Sequence, residues 1–214
     1  MIYLEETFNL VPASPETMDT FVDFAQEKLV PCYERLGGRL VAAWYSDAEV
    51  FAQVMQVLEF DDLAALGAFR AKASHDEGWA ECGRLIEELA PERRSRLMEP
   101  LGPIAPETLR RAAAESRESP VGAYSLAILE VMSGKMPQFI SALEASAKPL
   151  PIVASWRTIV GKQSEVTDVW KGALRQSGYQ PADEGTRQFF RGVRALAPRE
   201  RLVVAYPLPY SPLR

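Results

Sequence analysis

Two kinds of hydrophobic spacing alternate along this 214-residue chain. The opening "IYLEETFNL" is rich in strand formers, and Met18, Phe21, Val22, Ala25 and Leu29 then recur at helical spacing. Ser14, Pro15 and Glu16 supply an N-cap, a first-turn proline and a first-turn acid for that helix. Pro31 and the Gly37-Gly38 pair are expected to end it. "RLVAAWYS" (39–46) and "VFAQVMQVLEF" (50–60) read as two strands joined by "DAE" in a hairpin. Asp61 and Asp62 offer a cap to a helix carrying Leu63, Leu66, Phe69 and Ala73. A second stripe runs through Trp79, Cys82, Ile86 and Leu89, and "RLMEPL" can close the set as a short strand. The order is βαββαβ.

The second half follows the same grammar. "AYSLAILEV" is a strand, and Met136, Phe139, Ile140, Leu143 and Ala147 make a helical stripe that Pro149 and Pro151 stop. "PIVASWRTIV" and "EVTDVW" form the next hairpin. A helix around "TRQFFRGVRAL" and a last strand "RLVVAYPL" complete it. Sliding the chain by 112 residues aligns 41–60 with 153–172 without a gap. Val41/Val153, Ala42/Ala154, Trp44/Trp156, Val54/Val166 and Val57/Val169 are then identical. The expected fold class is α+β: tandem duplicated ferredoxin-like βαββαβ units forming an intrachain dimeric α+β barrel. The first half spans 1–101, a charged, alanine-rich linker with one exposed helix spans 102–120, and the second half spans 121–214.

The stretch from "LEETFNLVP" through "LVPCYERLGGRLVAAWYSDAEVFAQVMQVLEFDDLAALGAFRAKASHDEGWAE" resembles the NIPSNAP family. Gly37, Trp44, Leu58, Arg70 and Trp79 stand where that family places a helix-ending glycine, a strand tryptophan, an apolar strand end, an arginine-bearing helix and a downstream tryptophan. The family's tryptophan at the end of the third strand is Leu58 in the first half and Trp170 in the second. Its arginine-bearing helix is hard to find after Trp170, where "KGALRQSGYQPADEG" breaks early. The resemblance implies a dimeric α+β barrel and no catalytic signature. Relatives of that fold range from cofactor-free monooxygenases and isomerases to haem enzymes and plain binding proteins, so fold does not decide function.

Composition removes several classes. A formal net charge of −5 argues against a protein that coats nucleic acid or anionic membranes. No run of about 18 apolar residues appears, so no membrane span is expected. The opening residues lack the basic-then-apolar order of a signal peptide. Cys32 and Cys82 match no metal or redox spacing, which suits a reduced, cytoplasmic protein. Symmetric pairing into a homo-oligomer is compatible with the duplicated design.

Candidate chemistry is sparse. His75, the sole histidine, reads either as a base or ligand at a barrel mouth or as a polar residue at a helix junction. One histidine among scattered acids offers no metal set, and nothing beyond it supports haem. No metal and no cofactor is expected. The suggestive group is polar and aromatic: Trp44, Tyr45, Gln56, Trp156, Arg157, Asp168 and Trp170 on the hairpin strands, joined by Arg70 and Trp79. In a barrel interior this set suits a small organic ligand. The competing assignment has the tryptophans packing under the helices and the polar groups reaching solvent, and strand register decides between them. The leading reading is a small-molecule binding protein. The alternatives are a cofactor-independent monooxygenase- or isomerase-type enzyme, with His75 or an Arg157–Asp168 pair as weak catalytic candidates, and a protein-interaction scaffold.

Overall fold

A computed structural model describes residues 1–147, 150–172 and 183–214. Strand β1 (Ile2–Asn9) leads into helix α1 (Pro15–Phe24), a π-helical turn (Ala25–Leu29) and α2 (Val30–Leu36). Strands β2 (Arg39–Ser46) and β3 (Gln53–Phe60) form a hairpin, followed by α3 (Leu63–Ala73), α4 (Glu77–Leu89) and β4 (Glu92–Pro100). Helix α5 (Pro106–Glu118) precedes β5 (Tyr124–Glu130), α6 (Met136–Ser146), β6 (Ile152–Val160), β7 (Glu165–Lys171), α7 (Glu184–Leu196) and β8 (Arg199–Pro207). Hydrogen bonding orders the strands β1-β3-β2-β8-β5-β7-β6-β4 in a closed antiparallel barrel.

The chain divides into two compact units: Met1–Leu97 with Tyr206–Arg214, and Met98–Ala205. In the first, β1 and β2 flank β3, with Leu4 opposite Leu58, Glu6 opposite Gln56 and Phe8 opposite Val54. This face of the sheet carries the helices. Phe21 of α1 packs on Phe8 at 5.4 Å between ring centroids, and Phe69 of α3 meets Phe60 edge-on at 5.3 Å. Gly38 sits so close to Phe60 and Phe69 that a β-carbon there would lie 3.3 Å from each ring. The last residues of the chain complete this unit. Leu208 N–H donates to Ala43 O, and Ser211 Oγ accepts from Ala43 N–H at 2.9 Å.

Local chemistry explains the element ends. Ser14, Asp62, Asp76 and Asp183 each accept the backbone N–H three residues on, capping α1, α3, α4 and α7. Gly37 stops α2 in the left-handed conformation, φ +99°, where Gly38 N–H reaches back to Tyr33 O. Pro31 does not end the first helix as expected. The π turn bonds Val30 N–H to Ala25 O, so Pro31, which has no N–H to give, falls at the first turn of α2. The extra residue also rotates the following turn, which buries Cys32, Tyr33 and Leu36.

In the second unit β7 lies between β5 and β6, and β8 pairs with β5. Its core gathers Phe139 and Leu143 of α6, Val166 and Trp170 of β7, and Phe189 and Val193 of α7. Helix α5, expected as an exposed linker helix, buries Leu109, Ala112 and Ser116 and lies along β6. Pro149 and the early break after Trp170 lie outside the described residues.

Removing a ring from the first unit's core should cost far more than removing an exposed one. Phe21→Ala, at a fully buried position, should lower unfolding free energy by about 3–5 kcal/mol in urea titrations. Phe51→Ala, at a residue 70% exposed, should change it by less than about 0.5 kcal/mol.

Candidate functional site

Antiparallel register puts Glu6 and Gln56 side by side on the helix-bearing face of the first unit's sheet. An apolar layer surrounds them, with Leu4, Leu58 and Phe8 as neighbours along and across the strands. Tyr33 hangs from α2 into this layer. Its hydroxyl lies 2.8 Å from Glu6 Oε2 and 3.2 Å from Gln56 Oε1, and Gln56 Nε2 donates to Tyr210 Oη at 2.6 Å.

A tyrosine hydroxyl has one hydrogen and here faces two acceptors. A protonated Glu6 resolves the conflict. In that form it donates to Tyr33 Oη, Tyr33 donates to Gln56 Oε1, and Gln56 donates to Tyr210, so each bond has one donor; in the ionised form Tyr33 donates to Glu6 Oε2 instead. Burial pushes the Glu6 carboxyl above its ordinary range, outweighing the opposing influence of Tyr33, Arg93 and Arg70. Burial likewise drives the Tyr33 phenol well upward, with the neighbouring Glu6 adding to it. With Glu6 protonated the chain is a line of neutral donors and acceptors, and burial shifts both Glu6 and Tyr33 toward that form.

Above Glu6 opens a cleft of about 270 Å³. Leu58 and Phe69 give it an apolar floor and side, Trp79 of α4 forms a wall, and Arg70 and Ser95 contribute polar groups. Arg70 is exposed on α3, and among the described residues no ion pair or hydrogen bond engages its guanidinium. Trp79 is held in place by Phe69, edge-on at 5.5 Å, and by Tyr33 at 5.8 Å. The cleft thus combines one half-buried carboxyl whose pKa desolvation raises, one cation and an aromatic wall, the mixture a small ligand site needs.

The remaining sequence candidates scatter. Trp44 lies opposite Met55 and Trp156 opposite Thr167, which places both on the sheet faces away from Gln56 and Asp168. Tyr45 stacks on Tyr206 at 5.1 Å and lines a separate surface groove with Met18 and Phe51. His75 is exposed at the α3–α4 junction, beside the Asp76 that caps α4. Arg157 and Asp168 are not brought together: Arg157 pairs with Glu99, while Ser155 Oγ donates to Asp168 Oδ1 at 2.6 Å. Trp170 does pack under a helix, against Phe189 and Phe190 of α7, and its Nε1 finds no acceptor among the described residues. Among the described residues no group of three or more His, Cys, Asp or Glu could hold a metal ion. No helix among them is long and apolar enough to cross a membrane.

Glu6, Tyr33, Tyr210 and Ser95 were missed from the sequence. Glu6 did carry a signal, as an acid at a position where the strand alternation calls for an apolar residue. Tyr33 and Tyr210 carried none, because their reach depends on helix rotation and on the return of the chain end.

Residues 8–102 match the NIPSNAP family model. The matched stretch contains Tyr33, Gln56, Leu58, Arg70 and Trp79, while Glu6 lies just ahead of it. A candidate monooxygenase from Fusobacterium nucleatum superimposes with a TM-score of 0.64 at 8% identity, covering 97% of this chain and 92% of its own. A candidate monooxygenase from Lactobacillus acidophilus gives 0.59 at 10% identity, covering 96% and 93%. At such identities these two share the fold alone. An uncharacterised NIPSNAP domain protein from Burkholderia xenovorans aligns over 50% of this chain and 99% of its own, with 18% identity and a TM-score of 0.43. No curated protein sequence matches the chain.

Asp168 yields a pH prediction for the second unit. Burial lifts its carboxyl to about 7, against the hydrogen bond from Ser155 and with some help from Glu200. An acid raised in the folded state keeps its proton where the unfolded chain has lost it, so stability falls as pH rises from about 4 to about 7. The drop from this group should be roughly 3–4 kcal/mol. In denaturant titrations Asp168→Asn should flatten that slope; an unchanged slope would show that Asp168 is ionised throughout.

Proposed function

We propose that the NIPSNAP domain binds a small cyclic organic molecule bearing a carbonyl and an acidic oxygen, held in the Glu6–Arg70–Trp79 cleft. The observation that carries this reading is the half-buried Glu6, its carboxyl raised by desolvation, in one cleft with an Arg70 that no hydrogen bond or ion pair engages among the described residues. On ligand binding the carboxyl O–H turns from Tyr33 to a carbonyl oxygen and Tyr33 donates to the other carboxyl oxygen, the guanidinium meets a carboxylate, enolate or phenolate, and Trp79 and Leu58 cover the apolar body. A cavity of about 270 Å³ restricts the ligand to one or two rings.

A second reading follows from the donor chain. Glu6, Tyr33, Gln56 and Tyr210 form a path along which a proton on Glu6 can be replaced, which suits proton transfer at an enolisable carbon. The candidate monooxygenases of similar fold are compatible with such chemistry, as analogy only.

The chain as a whole is read as two copies of one βαββαβ unit, in line with the 112-residue offset. Both hairpins shift register at equivalent places, between Leu40 and Ala42 and between Ile152 and Ala154. The copies differ where a ligand would sit. Trp170 takes the place of Leu58, and the cavity beside Asp168 shrinks to about 10 Å³, room for one water. Ligand binding is accordingly assigned to the first copy.

Calorimetric titration with hydroxybenzoates, hydroxynaphthoquinones and cyclic 1,3-diketones tests both readings. Arg70→Ala should weaken binding about tenfold or more, the scale of a lost charge-assisted hydrogen bond, while Asp168→Asn leaves it unchanged. Glu6→Gln retains a donor and should retain affinity. If the chain handles protons, wild type should exchange the ligand's acidic C–H with D₂O and Glu6→Gln should not. Equal affinity of wild type and Arg70→Ala would overturn the assignment of the cleft.

A further inference from the structure

Two thiols that the sequence spaces 50 residues apart meet inside the first unit. Cys32 of α2 and Cys82 of α4 are both buried and both reduced, with their sulfurs 3.6 Å apart. Their surroundings differ in ways that assign each a role. Cys32 Sγ accepts from Arg35 Nη2 at 3.2 Å and from the Cys82 thiol. Arg35 is locked by a two-point pair with Asp76, one contact being Nη2 to Oδ1 at 2.9 Å.

Asp76 is also the N-cap of α4, so the positive end of that helix points at the same place. Gly78 in the first turn lets the helix approach this closely. A β-carbon on Gly78 would lie 3.0 Å from Arg35 Nη2 and 3.7 Å from Cys32 Sγ. A guanidinium, the first turn of a helix and a donor thiol therefore converge on one sulfur, which singles out Cys32 as the sulfur reached by polar groups. Cys82 stands deeper, 1% exposed against 7% for Cys32, and burial lifts its thiol to about 12. It keeps its proton until a partner sulfur becomes electrophilic.

We propose that Cys32 and Cys82 form a peroxide-sensing pair, in which Cys32 is oxidised first and Cys82 resolves it to a disulfide between α2 and α4. In the first step the Cys32 thiolate attacks one oxygen of hydrogen peroxide, the O–O bond breaks, and Cys32 sulfenic acid and hydroxide form. In the second, Cys82 sulfur attacks Cys32 sulfur, the S–O bond breaks, and hydroxide leaves to take the Cys82 proton as water. Two thiols and one peroxide give one disulfide and two waters. The sulfurs need to close by about 1.5 Å, a shift two packed helices can share. The positioning residue is Arg35.

Intact-mass spectrometry of the full-length folded protein under a hydrogen peroxide titration tests this. Wild type should lose two hydrogen atoms in mass without becoming a covalent dimer, and non-reducing peptide mapping should join the peptides carrying 32 and 82. Cys82→Ser should instead accumulate a sulfenic acid on Cys32 that a cyclic 1,3-diketone alkylates, whereas Cys32→Ser should stay unmodified. Arg35→Met should slow oxidation about tenfold or more, and Arg35→Lys, which keeps the charge, should restore part of the rate. Circular dichroism separates slow oxidation from a misfolded variant. Labelling of Cys82 ahead of Cys32, disulfide formation only in denaturant, or an Arg35→Met rate equal to wild type would each overturn the proposal.

Discussion

A carboxyl group pressed between a sheet and a helix must either keep its proton or be given a partner for its charge. Glu6 has Tyr33, a hydrogen-bonding partner that carries no charge, and much of the first unit is arranged around that fact. The π turn at Ala25–Leu29 rotates α2 so that Tyr33 reaches inward. Gln56, opposite Glu6, uses its amide to accept from the phenol and to donate onward. Tyr210 receives that last hydrogen bond, which ties the end of the chain to the first unit. If Glu6 were ionised, the single phenolic hydrogen could serve only one acceptor, and the other would be left buried without a donor.

The same solution appears in the second unit with different residues. Asp168 is 1% exposed and holds one strong hydrogen bond, from Ser155, with no ion pair among the described residues. Ser155 and Asp168 stand at the positions equivalent to Ala43 and Gln56. In the first unit the acid lies on β1 opposite an amide. In the second it sits on β7 itself, opposite Ala127 on one side and the serine on the other. Surface ion pairs such as Lys28–Glu81 and Lys162–Glu130 are half-exposed and contribute little by comparison.

Periodicity made the scaffold legible because each helix and strand buries one face, and burial writes itself into spacing. The Trp44 and Trp156 strands, the Asp62 and Gly37 ends and the order of elements could all be read this way. Pro31 misled because a π turn satisfies its missing donor, and no spacing rule announces a π turn. The cleft was half legible. Arg70 and Trp79 came from resemblance and Gln56 from its place on an apolar strand. Their grouping with Glu6 depended on register, and a shift of one residue would have moved Glu6 to the other face. Tyr210 lies 154 residues from Gln56, and such a contact leaves no local trace.

The substitutions between the equivalent positions argue for divided roles within one chain. Replacing Leu58 by an indole, as Trp170 does, adds volume where the first unit keeps its cleft, and Phe189 and Phe190 close around it. Filling a cavity of that kind improves packing and removes ligand space at once. The buried acid of the second unit, Asp168, makes no ion pair among the described residues and faces room for one water. Burial of this acid costs stability above about pH 4, and the packing of Trp170, Phe189 and Phe190 beside it leaves no larger opening there. The first unit shows the opposite compromise: Leu58 is smaller, no ion pair engages Arg70 among the described residues, and Glu6 lines an open cleft.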